Sequence, residues 1–202
     1  YESATNLVIL LNAGALPASL TPVEQRNVTP SLGADQIESG RLAVMIGFGL
    51  VIVFMVAAYG ILGLFSTAAL LVNVVLILGG LSGLGATLTL PGIAGIILTI
   101  GMAVDANVLI YERIREEARK PNSKPAKAIE VGYERALAAI LDANITTLIA
   151  AGVLFMLGAG PVRGFAVTLG IGIITSVFTA FVFSRLLAVV WLRATKPQKL
   201  PV

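Results

Sequence analysis

Cysteine and histidine are both absent from the 202 residues, and only 12% of them are charged. Without cysteine there is no disulfide framework and no thiolate-held metal, although that absence selects no compartment. Without histidine the chain lacks the side chain that titrates nearest neutrality, so a proton relay within it would run on carboxylates. No G-x-x-x-x-G-K-[ST] phosphate loop, Ser/His/Asp set or metal-ligand cluster can be read from the sequence. The chain is therefore expected to be neither an enzyme nor a holder of cofactor or metal, and any nucleotide energy would come from a partner. With 6% aromatics and a net charge of +3, it also has no long basic patch interleaved with aromatics, which argues against nucleic acid.

What it has is oil. Hydrophobic residues make up 57% of the chain and mean hydropathy is +0.94, values that place it among membrane proteins before any motif is considered. Apolar runs predict spans over residues 42–60, 65–84, 91–114, 137–157 and 165–191, an all-α membrane protein of five transmembrane helices. Residues 1–40 alone read as water-exposed, with a short helix over 4–13 stopped by Gly14 and a strand over 20–29 between Pro17 and Pro30. Forty residues cannot bury a core, so this α+β segment is expected to be the C-terminal remnant of an external domain lying upstream. A first residue Tyr1 with no charged leader behind it fits a piece of a longer chain.

Seven basic residues, Arg113, Arg115, Arg119, Lys120, Lys124, Lys127 and Arg135, crowd the connection between the third and fourth spans. The positive-inside rule makes this loop cytoplasmic, together with a basic tail over 193–202, and five crossings then put residues 1–40 outside. The turn at 61–64 carries no charge, so parity alone places it inside. Over 113–136 an amphipathic helix is expected, its stripe Ile129, Tyr133, Ala136, Leu137 and Ile140 lying on the inner membrane surface and bending into the fourth span. Arg185 is expected to snorkel to the interface and Trp191 to join the aromatic belt. In the second span Asn73 is read as an interhelical hydrogen-bond partner.

Asp105 is the residue that demands an account. It lies within the run 91–114, somewhat past its middle, where an acid costs roughly 2.5–3.5 kcal/mol on insertion scales and marks a functional site by default. Gly101, Asp105, Leu109 and Glu112 share one stripe, with Gly92 and Gly95 a turn or two earlier, so another helix can approach closely. A carboxylate withdrawn from water favours its neutral form and can exchange a proton as its surroundings change. A structural reading, a neutral acid hydrogen-bonded to a neighbouring helix, stands beside this one. The fourth span adds Asp142, Asn144, Thr146 and Thr147, a polar side expected to face protein. Asp142 has a second explanation, since an acid in a helix's first turns complements the dipole.

The stretch Gly101-Met-Ala-Val-Asp-Ala-Asn-Val-Leu-Ile-Tyr-Glu-Arg-Ile-Arg-Glu-Glu117 closely resembles the signature of the SecD family of bacterial protein-export membrane subunits. The sister SecF family carries Asn-Asp where this chain has Asp-Ala-Asn. Asn12-Ala-Gly-Ala-Leu-Pro-Ala, Pro30-Ser-Leu-Gly-Ala-Asp and Asp142-Ala-Asn-Ile-Thr-Thr-Leu resemble SecD segments in the same order. The resemblance implies spans two to six of the family's six, forming one half of a resistance-nodulation-division bundle that a SecF half, separate or fused, completes. It implies multi-pass residence in the bacterial cytoplasmic membrane, and use of the proton-motive force to draw preproteins through the SecYEG channel after the SecA motor has acted. Asp105 matches the proton-coupling aspartate, with Asn107, Asp142, Asn144, Thr146 and Thr147 as supporting polar positions. Proton-driven efflux of small molecules by the same superfamily is the alternative, and a non-transporting scaffold a third class.

Overall fold

A computed structural model describes residues 2–12, 30–86, 89–121, 123–197 and 200. Among them no strand occurs, and the strand expected over 20–29 lies outside the described residues. Contacts divide the chain into Tyr1–Gln36 and Ile37–Val202. In the first part a helix, α1, runs Glu2–Asn12 and carries Leu7, Val8, Ile9 and Leu11 exposed.

The second part is a helical bundle. Helix α2 spans Pro30–Tyr59, α3 Ile61–Gly83, α4 Leu90–Ala118, α5 Pro125–Leu157 and α6 Pro161–Phe178. A π-helical turn, Thr179–Phe183, then leads directly into α7, Ser184–Thr195. Among the described residues, five segments are long and apolar enough to cross a membrane: Gly40–Tyr59, Ile61–Gly83, Leu90–Ala118, Pro125–Leu157 and Pro161–Thr195.

Local chemistry sets these boundaries. Between α2 and α3 a single residue, Gly60, turns the chain at φ 55°, a conformation that costs glycine little because it has no Cβ. Thr89 caps α4, its hydroxyl accepting the Gly92 amide at 3.2 Å, and Pro91 occupies the first turn, where no amide is needed. Pro125 and Pro161 open α5 and α6 in the same way. The helix begun at Pro125 continues unbroken through the fourth span.

Helix α4 is central, packing against α3, α5 and α6. A Cβ on Gly172 would collide with the Thr99 side chain, so α4 and α6 approach as closely as they do because that position is bare. The core is continuous from Met55, Leu62 and Leu70 through Ala103, Ile110 and Ile114 to Tyr133 and Ala188.

Two expectations are revised here. The stripe Ile129, Tyr133, Ala136 and Ile140 is buried in this core, so it packs inside the protein and does not lie on the membrane surface. Leu137, at the edge of that stripe, is exposed. Asn73 is fully buried, yet neither atom of its amide has a hydrogen-bond partner, so the interhelical bond read for it is not formed.

Side-chain contacts gather five helix ends at one end of the bundle. Tyr59 at the end of α2 bonds Glu112 near the end of α4 at 3.0 Å. Phe65 at the start of α3 meets Trp191 of α7 edge-on, ring centroids 6.2 Å apart. Tyr133 in the early turns of α5 shares a 2.8 Å hydrogen bond with Ser184, and Arg185 sits over the Tyr133 ring at 5.8 Å. The uncharged connection after Tyr59 thus shares an end with the basic loop between α4 and α5.

Candidate functional site

Asp105 sits near the middle of α4, on the side turned away from the core. Ile100, Ala103, Val104, Ala106, Asn107 and Ile110 are buried, whereas Gly101 and Asp105 are exposed and Leu109 and Glu112 half-buried. The predicted stripe is therefore real as a stripe, but among the described residues nothing covers its central part. The 3.6-residue period fixes which residues share a face, and the packing of α3 and α6 on the other side of α4 leaves this one open.

A cleft of about 190 Å³ opens beside the acid between α4 and α5, lined by Met102, Asp105, Leu109, Ala139, Ala143 and Asn144 among others. Asn144 is buried and donates its amide to the Ile140 carbonyl at 2.7 Å, which leaves its own side-chain oxygen without a partner. The structure brings two of the site residues predicted from the sequence, Asp105 and Asn144, to one cleft. The carboxyl group there has a mostly apolar wall carrying one amide, Asn144, on one side and an open side on the other.

The other predicted residues lie elsewhere. Asn107 is on the packed side of α4, 2% exposed, with its amide donating to the Ala103 carbonyl at 3.1 Å and its oxygen unpartnered. Asp142 and Thr146 are exposed on α5, and the hydroxyls of Thr146 and Thr147 turn back to the Asp142 and Ala143 carbonyls of their own helix, each at 2.9 Å. The polar side expected of the fourth span is therefore split, with Asn144 inward and Asp142 and Thr146 outward. The dipole explanation of Asp142 also fails, because α5 begins at Pro125, roughly five turns earlier, and a dipole acts within the first turn.

A second polar group was not foreseen. The Tyr59 hydroxyl donates to Glu112 Oε1 at 3.0 Å, and Arg115 Nη1 donates to the same oxygen at 2.8 Å. Arg115 Nη2 donates to the Ala58 carbonyl at 2.7 Å, and the guanidinium lies 5.0 Å from the Tyr59 ring centre. Nearby, Glu117 pairs with Lys120 and, at 3.4 Å, with Arg135 of α5. The sequence signal for the first group was a Glu-Arg pair three apart at a span's end, but nothing in the sequence pointed to Tyr59 as its third member.

Comparison with known proteins agrees with this architecture. Residues 13–194 match the family described as protein export membrane protein SecD/SecF, C-terminal. The protein translocase subunit SecD of Rhodobacter capsulatus is 52% identical over 201 residues, covering 100% of this chain and 36% of the relative. That of Rickettsia conorii is 57% identical over 199 residues, covering 98% of this chain and 38% of the relative. The chain thus spans little more than a third of the length of these relatives. Among solved structures, SecDF of Thermus thermophilus, described as a translocon-associated membrane protein, superposes with a TM-score of 0.84 at 45% identity, covering 98% of this chain and 28% of that one. A SecDF crystal structure in a super-membrane-facing form gives 0.79 at 46%, covering 96% and 26%. Five membrane-length helices, a mid-span acid on α4 and this match over most of its length converge: the chain belongs to the SecD/SecF protein-export family, as the membrane part of a SecD.

Proposed function

We propose that this chain is the proton-coupling half-bundle of a protein translocase subunit in the bacterial cytoplasmic membrane. Asp105 is the carrier. It takes up a proton on one side of the membrane and releases it on the other, and the alternation biases the bundle between two arrangements. One proton crossing about 100 mV supplies about 2.3 kcal/mol, enough to shift a two-state equilibrium by more than tenfold. The reading rests chiefly on one observation, an acid at mid-span on the open side of the central helix of a translocase-family chain.

The open side of α4 and α5 suits a partner half from SecF, separate or fused, whose cover would withdraw Asp105 from lipid. The SecYEG channel and the preprotein in transit are the further partners, and the driving force is the proton gradient with no bound cofactor. The basic end of the bundle, with Arg113, Arg115, Arg119 and the tail, faces the cytoplasm, and residues 1–40 lie outside. Asn144 tunes the acid across their shared cleft, while Asn107 and Thr147 stiffen the two helices. Small-molecule efflux is not favoured, because the relatives named above are protein translocase subunits.

Asp105→Asn tests the proposal, since it keeps size and hydrogen bonding but cannot ionise. In membrane vesicles carrying the complete export machinery, the variant should insert normally and support export at the rate seen in wild type treated with a protonophore. Export that still falls when the gradient is collapsed would assign the coupling to another group.

A further inference from the structure

We infer that α2 is a lever hinged at its inner end, and that the Tyr59–Glu112–Arg115 network sets its angle against α4, the helix that carries Asp105. The two ends of α2 differ in kind. At the inner end Met55 and Tyr59 are 1% and 5% exposed, and the chain turns at once through Gly60 into α3. There Arg115 of α4 reaches the Ala58 carbonyl, one of the last four of α2, which have no partner within their own helix. A cation at a helix C-terminus also meets the negative end of the dipole. The planar guanidinium makes this bond and the bond to Glu112 together, a fork that lysine cannot reproduce.

Along the rest of α2 the packing is thin. Only 11% of its apolar stretch is buried, against 17% for the α5 span and 44% for those of α3 and α4, and Leu42, Met45, Ile46, Leu50 and Val53 are all more than half exposed. A cleft of about 530 Å³ separates its outer half from α3 and α4, running from Arg41 and Met45 to Leu78 and Ile93. Another of about 220 Å³ lies between α2 and α4 and ends at Gly101, one turn from Asp105. A stiff helix gripped by charge-assisted bonds at one end and flanked by apolar clefts at the other has one inexpensive motion, a swing about the gripped end. The swing exchanges one set of apolar neighbours for another and, among the described residues of the Gly40–Tyr59 span, breaks no interhelical hydrogen bond away from the clamp. Over a 20-residue span, about 30 Å long, a rotation of roughly 10° carries the outer end about 5 Å.

Glu112 lies on the same side of α4 as Asp105, about two turns on, and no break interrupts α4 between them. A rotation or slide of α4 at residue 105 therefore arrives at Glu112 and Arg115 undiminished and is passed to the end of α2. The trigger in this scheme rests on the proton-carrier reading, whereas the hinge and the clamp do not.

Distance measurement between spin labels tests it. Cysteines placed at Met45 and Leu78, which both line the wider cleft, can be labelled specifically in a complete complex whose other cysteines have been replaced, this chain having none, in proteoliposomes. Tyr59→Phe, which removes one hydroxyl, and Arg115→Gln should each broaden the Met45–Leu78 distribution and move its mean by several ångströms. A control pair at Leu78 and Ile174, exposed on α3 and α6, should stay fixed and show that the bundle is intact. Asp105→Asn should shift the Met45–Leu78 mean without broadening it, and should shift nothing once Arg115→Gln is present. Unchanged distributions in both clamp variants would overturn the lever. A shift on clamp removal with none for Asp105→Asn would overturn the transmission, and if export were also lost in that variant the proton carrier would stand without it. Normal export by Asp105→Asn would sink the carrier, and the clamp variants would still decide the lever.

Discussion

At the scale of single residues, the bundle holds three kinds of polar side chain that the hydropathy of their helices does not separate. Asp105 is exposed on an open face, Asn107 and Asn144 are buried with half of each amide satisfied by their own helix, and Asn73 is buried with nothing satisfied. An unpaired buried polar group costs about 1–3 kcal/mol, and a similar apolar shape removes that cost. Asn73→Leu should therefore leave thermal stability in detergent unchanged or raise it, and a clear fall would reveal a partner that forms only in the complete assembly. By the same reasoning Asn144→Leu should spare folding but, as a cleft neighbour of the proposed carrier Asp105, should lower gradient-dependent export, and unchanged export would remove Asn144 from the site. The sequence singles out Asp105 as a candidate because an acid in oil is conspicuous wherever it points. It could not assign the amides, since the direction of a side chain depends on which neighbours pack against each helix. Tyr59 escaped notice for a related reason: a tyrosine at a span's end is ordinary until Glu112 and Arg115 are seen to meet it.

The helices themselves were largely legible, because a run of apolar residues long enough to cross a membrane has few other uses. What the sequence blurred was continuity. Hydropathy begins the fourth span near residue 137 and lays the preceding charged turns on the membrane surface with a bend into that span, whereas α5 is one helix from Pro125 whose first turns pack into the core. Lys127, Glu130 and Glu134 lower the hydropathy of its first turns, but Ala128, Ile129 and Tyr133 still bury their face. A hydropathy window averages over those two sides, while the core responds to only one of them. The seam between α4 and α6 gives the clearest test at this scale. Gly172→Val would drive its side chain into Thr99, and overpacking of this kind costs about 1–3 kcal/mol. Thermal unfolding in detergent should show a lowered midpoint, partly restored by adding Thr99→Ala. No loss in the single variant would mean that the two helices separate freely and that the seam is not structural.

For the whole molecule, the distribution of what is buried says more than its total. The α4–α6 seam and the core from Leu62 to Ala188 are closed, while the part of the Gly40–Tyr59 span remote from Tyr59 and the Asp105 side of α4 are open. One end of the bundle gathers Arg113, Arg115, Arg119, Lys120 and Arg193 among interlocked helix ends. The opposite end carries Arg41 near the start of the first span and, beside the α5–α6 turn, Arg163, which stacks on Phe155 at 4.4 Å. A closed seam lets the bundle act as a unit, and an open acid lets that unit respond to something outside it. Whether the response is to protons can be measured directly. In inverted membrane vesicles with a pH-sensitive dye, proton flux that begins when preprotein export begins should be present with wild type and absent with Asp105→Asn at equal membrane abundance. Equal export-linked flux from both would contradict the account.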